Sequence, residues 1–132
     1  MEDSILLEIL KEMQKKYQCM TEIERITGEV GEFLSRNDQT SVQMLLGMRQ
    51  DEMDKTDVID RNIKCLISVL TPEEALKAES WIIGKENYET NSQISEKVNE
   101  KGKNIQQILK RTIEIDKYIN TRIAGTHSFY IK

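Results

Sequence analysis

Leu6, Ile9, Met13, Met20, Ile23, Val30 and Leu34 recur at steps of three, four or seven residues, a rhythm that keeps one face of an α-helix apolar from end to end. The spacing predicts a first helix capped by Asp3 or Ser4 and running to about Ser35. Lys16 and Thr27 occupy the remaining seam positions. Gly28 and Gly31 each weaken the last turns by about 1 kcal/mol relative to alanine. The run Ser35-Arg36-Asn37-Asp38 consists of turn and cap formers, with no apolar residue before Val42, so the first hairpin belongs there.

A second helix is expected from about Gln39 to Val69. Val42, Leu45, Ile59, Ile63, Leu66 and Leu70 share its seam, and Leu46, Met48, Met53 and Ile67 flank it. Its middle breaks the pattern, because Arg49, Glu52 and Thr56 stand at the seam positions between Leu45 and Ile59. Either these groups pair with the first helix, their long stems covering apolar surface, or they form a notch that faces a partner.

Thr71-Pro72-Glu73-Glu74 reads as a capping box with proline at the first helical position, and it starts a third helix. Ala75, Leu76, Ala78, Trp81, Ile82 and Ile83 open its apolar face, Trp81 being the expected anchor against the second helix. After Gly84 the stripe resumes with Ile94, Val98, Ile105, Ile108, Ile115 and Ile119, interrupted by Lys101 and Thr112 and broadened by Leu109, Ile113 and Ile123. Ala124-Gly125 is a suitable stop. Continuous helix from Pro72 to Ile123 would span over ~70 Å, against ~45 Å for each of the first two helices. The third element therefore breaks near Gly84 or Gly102 and folds back, or it projects with its isoleucines uncovered. An uncovered stripe of that extent would be an interaction surface, closed by a second copy, by a target protein or by the chain itself.

Composition narrows the class. With 5% aromatics and one proline among 132 residues, the turn and strand chemistry of a sheet protein is missing. The expected fold is all-α: an elongated antiparallel hairpin or bundle of three long helices with coiled-coil-like packing, the third either continuous or broken near Gly84. Residues 1–125 form one domain, and 126–132 a flexible tail. The net charge of −4 comes from interspersed acids and bases, so no basic face is available for nucleic acid or an anionic membrane. The N-terminal sequence lacks the basic start and continuous apolar stretch of a signal peptide, and no window approaches the ~18 apolar residues of a membrane span. With two cysteines far apart, a reducing cytoplasm fits best.

Catalytic and metal chemistry find no footing in the sequence. The one histidine, His127, has no cysteine or acid beside it at ligand spacing. A di-metal bundle needs Glu-x-x-His pairs, which are missing here. Cys19 and Cys65 fall out of register across the first hairpin and read as ordinary helix-surface thiols. The glycines sit inside helical patterns rather than after strands, so no phosphate loop forms. Met13, Met20, Met44, Met48 and Met53 read as core filling, or as the adaptable lining of a binding surface. The expectation is a non-enzymatic protein without cofactor or metal.

As a whole the pattern resembles a flagellar type III export chaperone of the FlgN or FliT kind. The features that carry the likeness are the long first helix, the Asn37-Asp38 turn into Val42-x-x-Leu45-Leu46-x-x-Arg49, the second long helix, and the isoleucine-rich C-terminal helix ending Asp116-Lys117-x-Ile119-Asn120. The resemblance implies a cytoplasmic chaperone that binds and shields the helical terminal segment of a secreted hook–filament junction or cap protein, by helix-in-groove contact, as a monomer or a homodimer. In such families the C-terminal helix commonly contacts the substrate, which here falls on Ile105, Ile108, Leu109, Ile115, Ile119 and Ile123. The alternative is a structural coiled-coil protein that self-associates, with Lys16, Arg49, Glu52 and Lys101 setting register.

Overall fold

Asn37 adopts a left-handed backbone conformation (φ 57°), and there the chain reverses. The Asn37 amide donates to the Leu34 carbonyl and the Asp38 amide to the Phe33 carbonyl, which closes α1 (Glu2–Ser35) with the two reverse bonds of a Schellman stop. The Asp38 carboxylate then accepts from the Ser41 amide at 3.0 Å and its hydroxyl at 2.7 Å, capping α2 (Gln39–Ile67). The hairpin thus forms where the turn residues predict it. This computed structural model describes residues 2–86 and 89–123, apart from the side chains of Arg122 and Ile123. The expected tail 126–132, His127 and the stop at Ala124-Gly125 lie outside the described residues.

Thr71 caps α3 (Pro72–Ile82) through the full reciprocal box: the Glu74 amide donates to Thr71 Oγ1, and the Thr71 amide to Glu74 Oε1. α2 ends at Ile67 rather than Val69, where the Val69 and Leu70 amides turn back to the Leu66 and Ile67 carbonyls in tighter three-residue bonds, and Thr71 is extended ahead of Pro72. The break that follows falls at Gly84. Its φ of 71° lets the Gly84 amide reach the Trp81 carbonyl and the Lys85 amide reach the Ser80 carbonyl, a second Schellman stop. The chain then turns back into α4 (Gln93–Ile123). Among the described residues the architecture is all-helical, with three long helices and one short one where the sequence suggested three.

The long helices pack in an up-down-up order around α1. Lys16 meets Asp60 and Thr27 meets Arg49, so α1 and α2 are antiparallel. Glu24 meets Arg111 and Gly31 meets Ile119, so α4 runs parallel to α1. α3 packs chiefly on α4 rather than on α2. Trp81 is fully buried in the lower core and its Nε1 donates to the Glu89 carbonyl at 3.0 Å, so it ties α3 to the following loop.

Gly102, a candidate break in the sequence, lies inside α4 and serves close approach instead. A Cβ there would collide with the carbonyl oxygens of Trp81 (2.7 Å) and Ile82, and one on Gly84 would come within 2.5 Å of the Lys103 nitrogen. The glycines let the end of α3 press directly on the α4 backbone.

The interior comprises two apolar clusters. The lower joins Leu6, Ile9, Met13, Met20, Ile23, Ile59 and Ile63 to Trp81, Val98, Ile105 and Ile108. The upper joins Ile26, Val30, Val42 and Leu45 to Ile119. Between them lies a polar layer. The fully buried Thr27 hydroxyl donates to the Ile23 carbonyl and accepts from Arg49 Nη1 at 3.1 Å, while the same guanidinium nitrogen reaches Asp116 Oδ1 at 3.1 Å. The polar break in the α2 seam is thus only partly an ion pair with the first helix. Arg49 hydrogen-bonds α1 but takes its carboxylate from α4.

Candidate helix-docking groove

α2 supplies no buried apolar residue between Leu45 and Ile59, and that gap determines where the bundle stays open. α2 and α4 each pack on α1 and scarcely on one another, and over the seam break no apolar side chain of α2 is buried. The groove between them, of about 440 Å³, has α1 as its floor. Met20 and Ile23 line the bottom, only 7% and 6% exposed. Met53 on α2 and Leu109 and Ile113 on α4 form the rims, 43%, 38% and 44% exposed. The lower end carries Lys16 paired with Asp60 at 2.8 Å, and the upper end carries the Arg49–Asp116 pair. Three helices converge on an apolar trough with polar ends, the shape that an additional amphipathic helix would complete.

The six residues expected on a partner-binding face are distributed around α4. Ile105 lines the docking groove but is 6% exposed, and Leu109 stands on its rim. Ile108 and Ile119 are 2% and 6% exposed within the two core clusters, so this chain's own helices cover them. Ile115 and Ile119 line a second groove on the other flank of α4, about 450 Å³, where Gly28 and Gly31 leave α1 bare. Ile123 closes α4, and its side chain lies outside the description. The stripe was long enough to project, yet α4 lies back along α1 and buries its central row. A single stripe of isoleucines carries no mark of which members are covered internally. Met53 is one of the methionines read as core filling or adaptable lining, and its place beside the α2 seam break could have singled it out; Ile113 entered only as a residue broadening the α4 stripe, and no local signal sets it opposite that break.

The other polar seam residues are satisfied within the chain. Lys101 Nζ sits 4.4 Å from the centroid of the Tyr17 ring, and Thr112 donates to the Ile108 carbonyl at 2.8 Å. The methionines divide between two uses: Met13 and Met20 fill the core, whereas Met44, Met48 and Met53 are exposed. The cysteines also differ, since Cys65 is exposed but Cys19 is buried and not the surface thiol expected. Burial pushes the Cys19 thiol above its ordinary pKa, and neighbouring Glu52 adds to the shift.

Among the described residues, no group of three or more histidine, cysteine or acidic side chains is placed to hold a metal ion. In the same residues no helix is long and apolar enough to cross a membrane. No protein-family model matches this chain, nor does any curated protein or solved structure.

Proposed function

We propose that this chain is a non-enzymatic export chaperone, which shields the helical terminal segment of a secreted flagellar protein of the hook–filament junction or cap type. The observation that carries the reading is the groove between α2 and α4, with Met20 and Ile23 as its floor and Met53, Leu109 and Ile113 as its rims. An export client is held partly unfolded, and its amphipathic terminal helix has an apolar stripe to bury. A trough of three helices offers that stripe an interface resembling a bundle core. The exposed methionine on the rim adapts to stripes of different shape.

The alternative, a self-associating coiled-coil scaffold, needs polar seam residues that pair between copies. Lys16, Arg49 and Lys101 already find Asp60, Asp116 and the Tyr17 ring within one chain, which weighs against it.

The test is copurification of the intact chain with hook–filament junction and cap proteins of the same cell, alongside light scattering of the free protein. A monomer or dimer that retains one such protein, and releases it when Leu109→Asp and Ile113→Asp are combined without loss of helicity, meets the expectation. A stable higher oligomer that retains none of them would favour the scaffold.

A further inference from the structure

The docking groove is closed at each end by an ion pair, and the three helices that form it agree on its length. At the lower end Lys16 of α1 meets Asp60 of α2 at 2.8 Å. At the upper end Arg49 of α2 meets Asp116 of α4 and Thr27 of α1, each at 3.1 Å. Thr27 stands 11 positions after Lys16, Asp60 11 after Arg49, and Asp116 11 after Ile105. Each interval corresponds to about 16 Å, or three turns. Past the upper pair Val42, Leu45 and Ile119 are buried in the upper cluster, and past the lower pair Ile63 is buried in the lower one. The apolar trough therefore stops at the ion pairs.

Half the circumference of a helix ~10 Å across, taken over ~16 Å, is roughly 250 Å², against the ~800 Å² that each partner gives to a stable interface of standard size. The groove alone is too small to hold two copies of the chain together, and it suits one short helix. Among the described residues, no helix of this chain presents three consecutive turns of exposed large apolar side chains that could fill it. Resting on the docking reading above, we infer that the two ion pairs are end stops: the occupant is a partner helix whose apolar stripe is three turns long and gives way to polar residues at both ends. A leucine carried past either end lies over the Lys16–Asp60 or Arg49–Asp116 pair and strips water from charges that are still partly hydrated, which their mutual attraction does not offset. Polar residues at the same places leave the pairs wet. The stops thus reject a longer stripe, although apolar area alone would favour it.

The probes are two synthetic helical peptides of about 25 residues, or seven turns, matched in net charge. One carries leucines over three central turns and the other over four. Fluorescence anisotropy with the full chain should show the three-turn peptide binding about fivefold tighter. Lys16→Leu combined with Asp60→Leu removes the lower stop. The pair is part-exposed, so circular dichroism should show unchanged helicity, and the four-turn peptide should then bind the tighter of the two.

Equal or tighter binding of the four-turn peptide by the native chain, or an order unchanged in the double leucine variant, would overturn the end stops and leave the docking groove standing. If neither peptide binds, or if binding survives Leu109→Asp with Ile113→Asp, the docking reading itself fails. A dimer of the free chain that this aspartate variant dissociates would make a second copy the occupant and overturn the proposal.

Discussion

Arg49 on α2 reaches Asp116 on α4 at 3.1 Å and Thr27 on α1 at 3.1 Å through one guanidinium nitrogen, so a single side chain ties the three long helices together at the top of the groove. The Arg49 side chain is 18% exposed and that of Asp116 35%, so solvent screens the pair in part. Arg49→Ala should destabilise the fold by about 1–2 kcal/mol in urea unfolding, since it removes two hydrogen bonds and leaves Asp116 without its cation. A double-mutant cycle with Asp116→Ala should give a coupling below about 1 kcal/mol that shrinks with added salt.

The glycines separate by what surrounds them. Gly102→Ala drives a methyl group into the backbone carbonyls at the end of α3, and should cost about 1–3 kcal/mol because neither backbone can easily yield. Gly28 is helical with nothing within 4 Å of a built Cβ. Gly28→Ala should therefore stabilise the protein by about 0.5–1 kcal/mol through helix propensity. Thermal unfolding of both variants would expose an error in either sign.

Thiol labelling should proceed in two phases. Cys65 is exposed and should react with a disulfide reagent as quickly as a thiol in an unfolded peptide. Cys19 is 8% exposed and its pKa is raised, chiefly by burial, so its thiolate is scarce at neutral pH. Its labelling should wait on local opening of α1 against α2. Mass spectrometry finding Cys19 modified at the rate of Cys65 would contradict the burial.

Acid should loosen the hairpin turn. Hydrogen bonds from the Ser41 amide and hydroxyl hold the Asp38 carboxyl below its ordinary value of 3.8. A carboxyl with a depressed folded-state pKa contributes its stability above the unfolded value, and that contribution disappears as pH falls through the folded value. As pH falls below about 4 the wild type should therefore lose more thermal stability than Asp38→Asn, in which the amide oxygen caps α2 without titrating. Parallel acid limbs for the two proteins would remove Asp38 from the account.

Much of the fold can be read residue by residue. The reverse turn at Asn37-Asp38, the box at Thr71-Pro72-Glu74 and the seam of α1 are local consequences of side-chain hydrogen bonding and apolar spacing, and they appear where the sequence puts them. The groove is half legible. The seam break at Arg49, Glu52 and Thr56 marks the stretch of α2 that cannot close, but no local rule says which helix stands opposite it.

The all-helical architecture of the described residues, the first hairpin and the capped start of α3 follow from local residue chemistry, because capping, turn formation and helical periodicity act over a few neighbouring residues. Tertiary structure decided that α4 lies back along α1 and that Gly102 meets the end of α3. It also decided that Arg49 pairs with Asp116, 67 positions along the chain. One amphipathic stripe satisfies its apolar demand equally against any complementary helix, so the choice depends on which surfaces the rest of the fold brings within reach.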